Sequence, residues 1–144
     1  MSTASVTARP AQTSFGRLLL VGLGAGIAAA VVNLLIFAIG GALGVPFVAQ
    51  MGADQPPQEL NAAMFIAASI APALGGAVLY GLLGRFTRRP TAIFVAVAAV
   101  FALLSLAGPL TMPVPLATRL TLSLLHLLTA AVISYGLTRY APQG

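Results

Sequence analysis

The sequence predicts an all-α membrane protein, an antiparallel bundle of four transmembrane helices with both termini on the cytoplasmic side. Three observations carry this. Of 144 residues, 59% are hydrophobic and only 6% charged, and the mean hydropathy is +1.01. A soluble domain is typically about 45–50% apolar and about 25% charged. Four runs are long and apolar enough to cross a bilayer. The arginines fall on alternate connections, six on one side and one on the other.

Residues 1–16 are polar, and read as a disordered cytoplasmic tail. Residues 17–140 form a single four-span domain. Its first span covers residues 18–44 and carries no charge over 27 positions. At about 1.5 Å per residue that is about 40 Å of helix, more than the roughly 30 Å hydrocarbon core requires. The run is also far longer than the apolar region of a secretory leader, so it reads as a span. Val45-Pro46 ends it, because proline disfavours helical geometry in the residue before it.

A loop over residues 45–59 holds both acids, Asp54 and Glu59. Glu59 is placed either in solvent or where it would favour the N-terminus of the next helix. The second span covers residues 60–84, with Pro72 near its middle. The basic turn Arg85-Phe86-Thr87-Arg88-Arg89-Pro90 leads to the third span, residues 91–108, which Gly108-Pro109 breaks. Met112-Pro113-Val114-Pro115 connects it to the fourth, residues 116–138. Arg139 and a cytoplasmic tail, residues 141–144, follow.

Arg9, Arg17, Arg85, Arg88, Arg89 and Arg139 share one side, and Arg119 stands alone on the other. In short loops this excess marks the cytoplasmic face. Arg85, Arg88 and Arg89 are thus topology determinants. The net charge of +5 and pI of 11.3 come from these same residues, so no nucleic-acid partner is expected. Lipid is the expected surrounding, with a second copy or another membrane protein as a further partner. Abundant Ala, Gly, Pro and Arg with no Lys suggests a GC-rich bacterial genome, and hence a bacterial plasma membrane. The chain has no cysteine, which excludes disulfides, thiolate nucleophiles and cysteine-ligated metals within it. No P-loop, dinucleotide fingerprint, zinc-protease or serine-hydrolase motif is present.

Within the spans, Gly22, Gly26, Ala29, Asn33, Phe37, Gly40 and Gly44 recur at steps of three or four, one helical face. Such a face lets another backbone approach closely. It is read as helix packing, and otherwise as a cavity lining or self-association surface. Asn33 lies deep in the first span. Its amide must find a partner inside the bundle, because lipid offers none. Pro72 is expected to kink the second span by freeing the carbonyl of Ala68, with Ser69 placed to satisfy it.

His126 is the single histidine. Ionisable groups within a membrane point to function by default. Arg119, Ser123, His126 and Thr129 follow one another at helical spacing, a polar stripe descending from the outer surface. The plain reading is a histidine hydrogen-bonded to Asn33 or to a carbonyl. The functional reading is a proton path, a ligand pocket, or a haem or metal ligand.

The first span with Asn33 running into Gly44-Val45-Pro46 is the first part of a family likeness. The Arg85–Pro90 turn and the Leu-x-x-Leu-His-Leu segment around His126, followed by Thr129-Ala130-Ala131-Val132, complete it. Together they resemble a family of small four-helix bacterial membrane proteins classed as a domain of unknown function, over about residues 17–140. The resemblance implies four spans and an interest in His126, and no activity.

The function expected from the sequence is a non-enzymatic membrane subunit or self-associating bundle. One alternative is a small transporter or channel component with a polar cavity near Asn33, Ser69, Ser123 and His126. Another is a haem- or metal-binding protein using His126. No catalytic residue, metal site or cofactor is predicted.

Overall fold

The computed structural model describes residues 13–50 and 55–143. Arg9 and Asp54 lie outside them. The elements are α1 (Phe15–Ala42), β1 (Val48–Ala49), β2 (Gln58–Glu59), α2 (Ala62–Phe86), α3 (Pro90–Ser105), α4 (Ala107–Thr111) and α5 (Leu116–Tyr140). Four helical segments are long and apolar enough to cross a membrane: α1, α2, α3 continued by α4, and α5.

Local chemistry sets the ends. Ser14 caps α1, its hydroxyl accepting from the backbone N–H of Arg17. Gly44 follows α1 at φ +81°, the left-handed geometry that glycine adopts without strain. Asn61 caps α2, accepting from Met64 N at 3.2 Å. Glu59 therefore does not occupy the first turn. It pairs in the two-residue ribbon with Val48, as Gln58 does with Ala49. Pro90 opens α3, where its missing N–H has no bond to lose.

The third span breaks earlier than the sequence suggests. The α-helical ladder is interrupted after Ser105 at Leu106, which keeps helical angles, and the span continues through Gly108 and Pro109 to Thr111. Pro109 has no hydrogen to give the carbonyl four residues before it, which belongs to Ser105, so the ladder fails there. Pro109 itself sits comfortably in the first turn of α4.

The small-residue face of α1 packs against α2 in the same chain. A Cβ built on Gly22 would lie 2.7 Å from Ala77 Cβ, and one on Gly26 would lie 2.9 Å from Ala73 Cβ. Ala29, Ala73 and Ala77 are fully or almost fully buried. Gly136 of α5 presses on Ala25, where a Cβ would come within 2.8 Å. Gly40 meets the ring of Phe47. Gly22, Gly26, Ala29 and Gly40 thus all pack within the molecule, and Gly44 is exposed.

Two apolar clusters close the ends. One gathers Leu18, Tyr80, Phe94, Ile133, Leu137 and Ala141. The other gathers Phe47, Phe65, Leu122 and Leu125, with the rings of Phe37, Phe47 and Phe65 4.8–5.8 Å apart. Residues 141–143, expected as a tail, are packed instead. Ala141 and Gln143 are buried, and Gln143 lies against Gly84. Thr13 donates to the Pro142 carbonyl at 2.8 Å, which brings both ends of the described chain together. Arg17, Arg85, Arg88, Arg89 and Arg139 lie at or next to the helix ends on that side, while Arg119 lies near the start of α5 at the other.

Candidate functional site

Asn33 is the centre of the polar interior. It is 3% exposed. Its Nδ2 donates to Ser69 Oγ at 2.9 Å and to Thr129 Oγ1 at 2.8 Å. One side chain therefore ties α1 to both α2 and α5. Ser69 passes its own hydrogen to the Phe65 carbonyl at 2.8 Å. That hydroxyl is thus not the rescuer of the Ala68 carbonyl, which Pro72 leaves without its i+4 donor. Asn33 Oδ1 is buried and has no hydrogen-bond partner. A buried acceptor without a donor costs about 1–3 kcal/mol, so this atom calls for an explanation.

Beside Asn33 lies a cleft of about 800 Å³ bounded by α2, α3 and α5. Its walls are almost wholly carbon. Small residues make the room: Ala68, Pro72, Gly75 and Gly76 face Ala98 and Ala102 across it. Phe94 lines it at the arginine-rich end, its ring 4.8 Å from that of Tyr80 and tilted by 34°. Ala49 and Leu60, flanking the β1–β2 ribbon, line the opposite end. Met64, Val97 and Phe101 line the cleft and are also exposed, so it opens on the molecular surface.

The polar groups in this wall are few. Asn33, His126 and Thr129 meet on one ledge, and Ser105 and Ser134 lie elsewhere on the lining. His126 Nδ1 sits 2.8 Å from the Leu122 carbonyl of its own helix. A carbonyl only accepts, so Nδ1 carries the hydrogen. In the neutral ring Nε2 is then an acceptor, and it has no partner among the described residues.

The stripe expected on the fourth span divides. His126 and Thr129 face the cleft, whereas Arg119 and Ser123 do not line it. Arg119 reaches the Leu110 carbonyl at 3.4 Å, and Ser123 Oγ is buried without a partner. The expected cavity of Asn33, Ser69, Ser123 and His126 is thus partly assembled: Asn33 and His126 line it, Ser69 stands behind Asn33, and Ser123 is turned away. Among the described residues no three His, Asp or Glu side chains converge, so His126 has no companion ligands of those kinds.

Three features escape the sequence reading. Thr118 donates to the Pro46 carbonyl and ties α5 to the connection after α1. Tyr80, fully buried, shares a hydrogen bond with Thr91 at 2.7 Å. Gln143 closes onto Tyr80 and Gly84. Only Tyr80 carried a signal, as a phenol in an apolar helix that needs a partner.

Four apolar helices of spanning length around a lipophilic cleft define a multi-pass, all-α membrane protein. The chain belongs to the Family of unknown function (DUF6069), whose model matches residues 13–143. No curated protein and no solved structure matches it.

Proposed function

We propose that this chain is a non-enzymatic membrane protein that binds a lipophilic small molecule in the cleft between α2, α3 and α5. The observation that carries this is the pairing of an apolar cleft of about 800 Å³ with one polar ledge, where buried Asn33 adjoins half-buried Thr129 and exposed His126. Sites for small molecules typically measure about 300–1,000 Å³ and combine carbon walls with a few placed polar groups. The carbon walls disfavour ions and strongly polar solutes as cargo. The glycine face of α1 is taken up by α2, so Gly22 and Gly26 are not open to a second copy.

The absence of a paired acid and base at the ledge supports a binding role over catalysis. We place the protein in a bacterial plasma membrane with both termini cytoplasmic, on the six-to-one arginine distribution. The test is photolabelling in mild detergent with a diazirine-bearing hexadecanol. Labelling should saturate and map to peptides lining the cleft. Filling the cleft with Ala98→Phe and Ala102→Phe should abolish the saturable part. Labelling that rises linearly with probe and spreads over all lipid-facing surfaces would overturn the reading.

A further inference from the structure

We infer that the ledge selects its ligand by a neutral hydroxyl group rather than by a carbonyl, an ester or an ion. This rests on the cleft being a binding site, and it goes on to name the head group.

Asn33 has two amide hydrogens, and both are committed, to Ser69 and Thr129. Its Oδ1 remains, buried and unpartnered. The Nδ1 hydrogen of His126 is committed to the Leu122 carbonyl, which leaves Nε2 as a lone pair. Two acceptors thus stand at the ledge, Asn33 Oδ1 and His126 Nε2. Against them is one uncommitted hydrogen, on Thr129, whose hydroxyl oxygen receives Asn33 Nδ2 and has no acceptor of its own among the described residues. Thr129 and His126 are three positions apart on α5, hence neighbours at about 5–6 Å.

A ligand carbonyl, ether or ester brings only acceptors. It could take the Thr129 hydrogen, but it would leave Asn33 Oδ1 orphaned. A hydroxyl both donates and accepts. It can give its hydrogen to Asn33 Oδ1 or His126 Nε2 and receive one from Thr129, which satisfies the ledge. A ligand ammonium would bring donors too, yet Glu59, the acid among the described residues, does not line the cleft. A cation would enter an apolar cleft with no counter-charge among the described residues, at a cost of several kcal/mol. A carboxylate meets the same objection, since Arg119 does not line the cleft. What remains is an apolar body ending in an alcohol: a long-chain, isoprenoid or polycyclic alcohol, or the free hydroxyl of a neutral glyceride.

The probe is the photoreactive hexadecanol, in competition with unlabelled 1-hexadecanol, its methyl ether and hexadecane. The ether keeps the oxygen and removes only the hydrogen. On wild-type protein the alcohol should compete about tenfold better than the ether, the factor expected for one buried hydrogen bond made or forfeited, and the ether, which can still accept from Thr129, should fall between the alcohol and the hydrocarbon. His126→Phe removes one acceptor while losing only a hydrogen bond within its own helix, and should reduce the alcohol's advantage. Asn33→Leu should abolish it. Equal competition by alcohol and ether on the wild type would overturn the head-group assignment while leaving a lipophilic site standing. Absence of saturable labelling would instead remove the site itself. A full alcohol advantage retained in both variants would show that the ledge is not its source.

Discussion

The first and third spans are equally apolar and pack very differently. Their most hydrophobic windows have mean hydropathies of 2.4 and 2.5, yet 33% of the window in α1 is buried and only 11% of that in α3 and α4. Hydrophobicity does not decide which helix sits inside, because lipid is as apolar as leucine and draws no helix away from itself. Small residues decide. Gly22, Ala25, Gly26 and Ala29 let α1 sit against the backbone of α2 and against Gly136 of α5. On α3 the bulky Val95, Val100, Phe101, Leu103 and Leu104 face outward, and Phe94 and Pro90 are its buried residues. The close side is a scaffold, and the loose side leaves the cleft.

Gly22→Leu attacks the close side and has the largest expected effect. A Cβ there already lies 2.7 Å from Ala77 Cβ and 3.1 Å from the Ala73 carbonyl oxygen. Overpacking of this kind costs about 3 kcal/mol, and thermal unfolding in detergent should show a clear fall in midpoint. An unchanged midpoint would mean that α1 and α2 are not in this contact.

Asn33→Leu comes next. It removes the hydrogen bonds to Ser69 and Thr129 and also removes an orphaned acceptor. Interhelical hydrogen bonds in bilayers average about 0.6 kcal/mol, while removing a buried orphaned acceptor returns about 1–3 kcal/mol, so the two largely offset and the net change should stay well below the loss for Gly22→Leu. Equilibrium unfolding in mixed micelles measures it. A loss as large as that for Gly22→Leu would show that the polar junction, and not the small-residue seam, holds the bundle.

The loose side should be more forgiving. Ala98→Phe with Ala102→Phe inserts two rings where the structure has space, and should change stability by less than about 1 kcal/mol, since no packed core is disturbed. Collapse of the fold would mean that α3 packs tightly after all. Smallest of all is Gly24→Ala, on the exposed face of α1 with nothing within 4 Å of the built Cβ. It should be neutral or stabilising by up to about 0.5 kcal/mol. The same melts, with Gly24 and Gly22 two positions apart, give the sharpest contrast between a lipid-facing and a buried glycine.

How much of this was legible in the sequence follows from which forces act locally. The spans were readable because length and hydropathy report directly on a bilayer. The face from Gly22 to Gly40 was readable because it repeats at the helical period, although the period alone did not say that α2 would cover it. Asn33 was readable as a residue in need of partners, and Ser69 and Thr129 are those partners. The division of the Arg119-to-Thr129 stripe was not readable, because its residues spread over an arc and only neighbouring helices decide which part meets a cavity. The cleft was least legible. It arises where small residues of α2 and α3 line one space, a relation between helices that no single run of sequence contains.

On the proposed function, the loose side is kept open for a ligand. Native mass spectrometry of the protein extracted from its own membranes in mild detergent tests it most directly, comparing wild type with the Ala98→Phe, Ala102→Phe variant. The wild type should retain a discrete neutral adduct of small-molecule mass at one per chain, and the filled variant should lack it. A wild type free of any such adduct, or a variant that carries it equally, would contradict the claim.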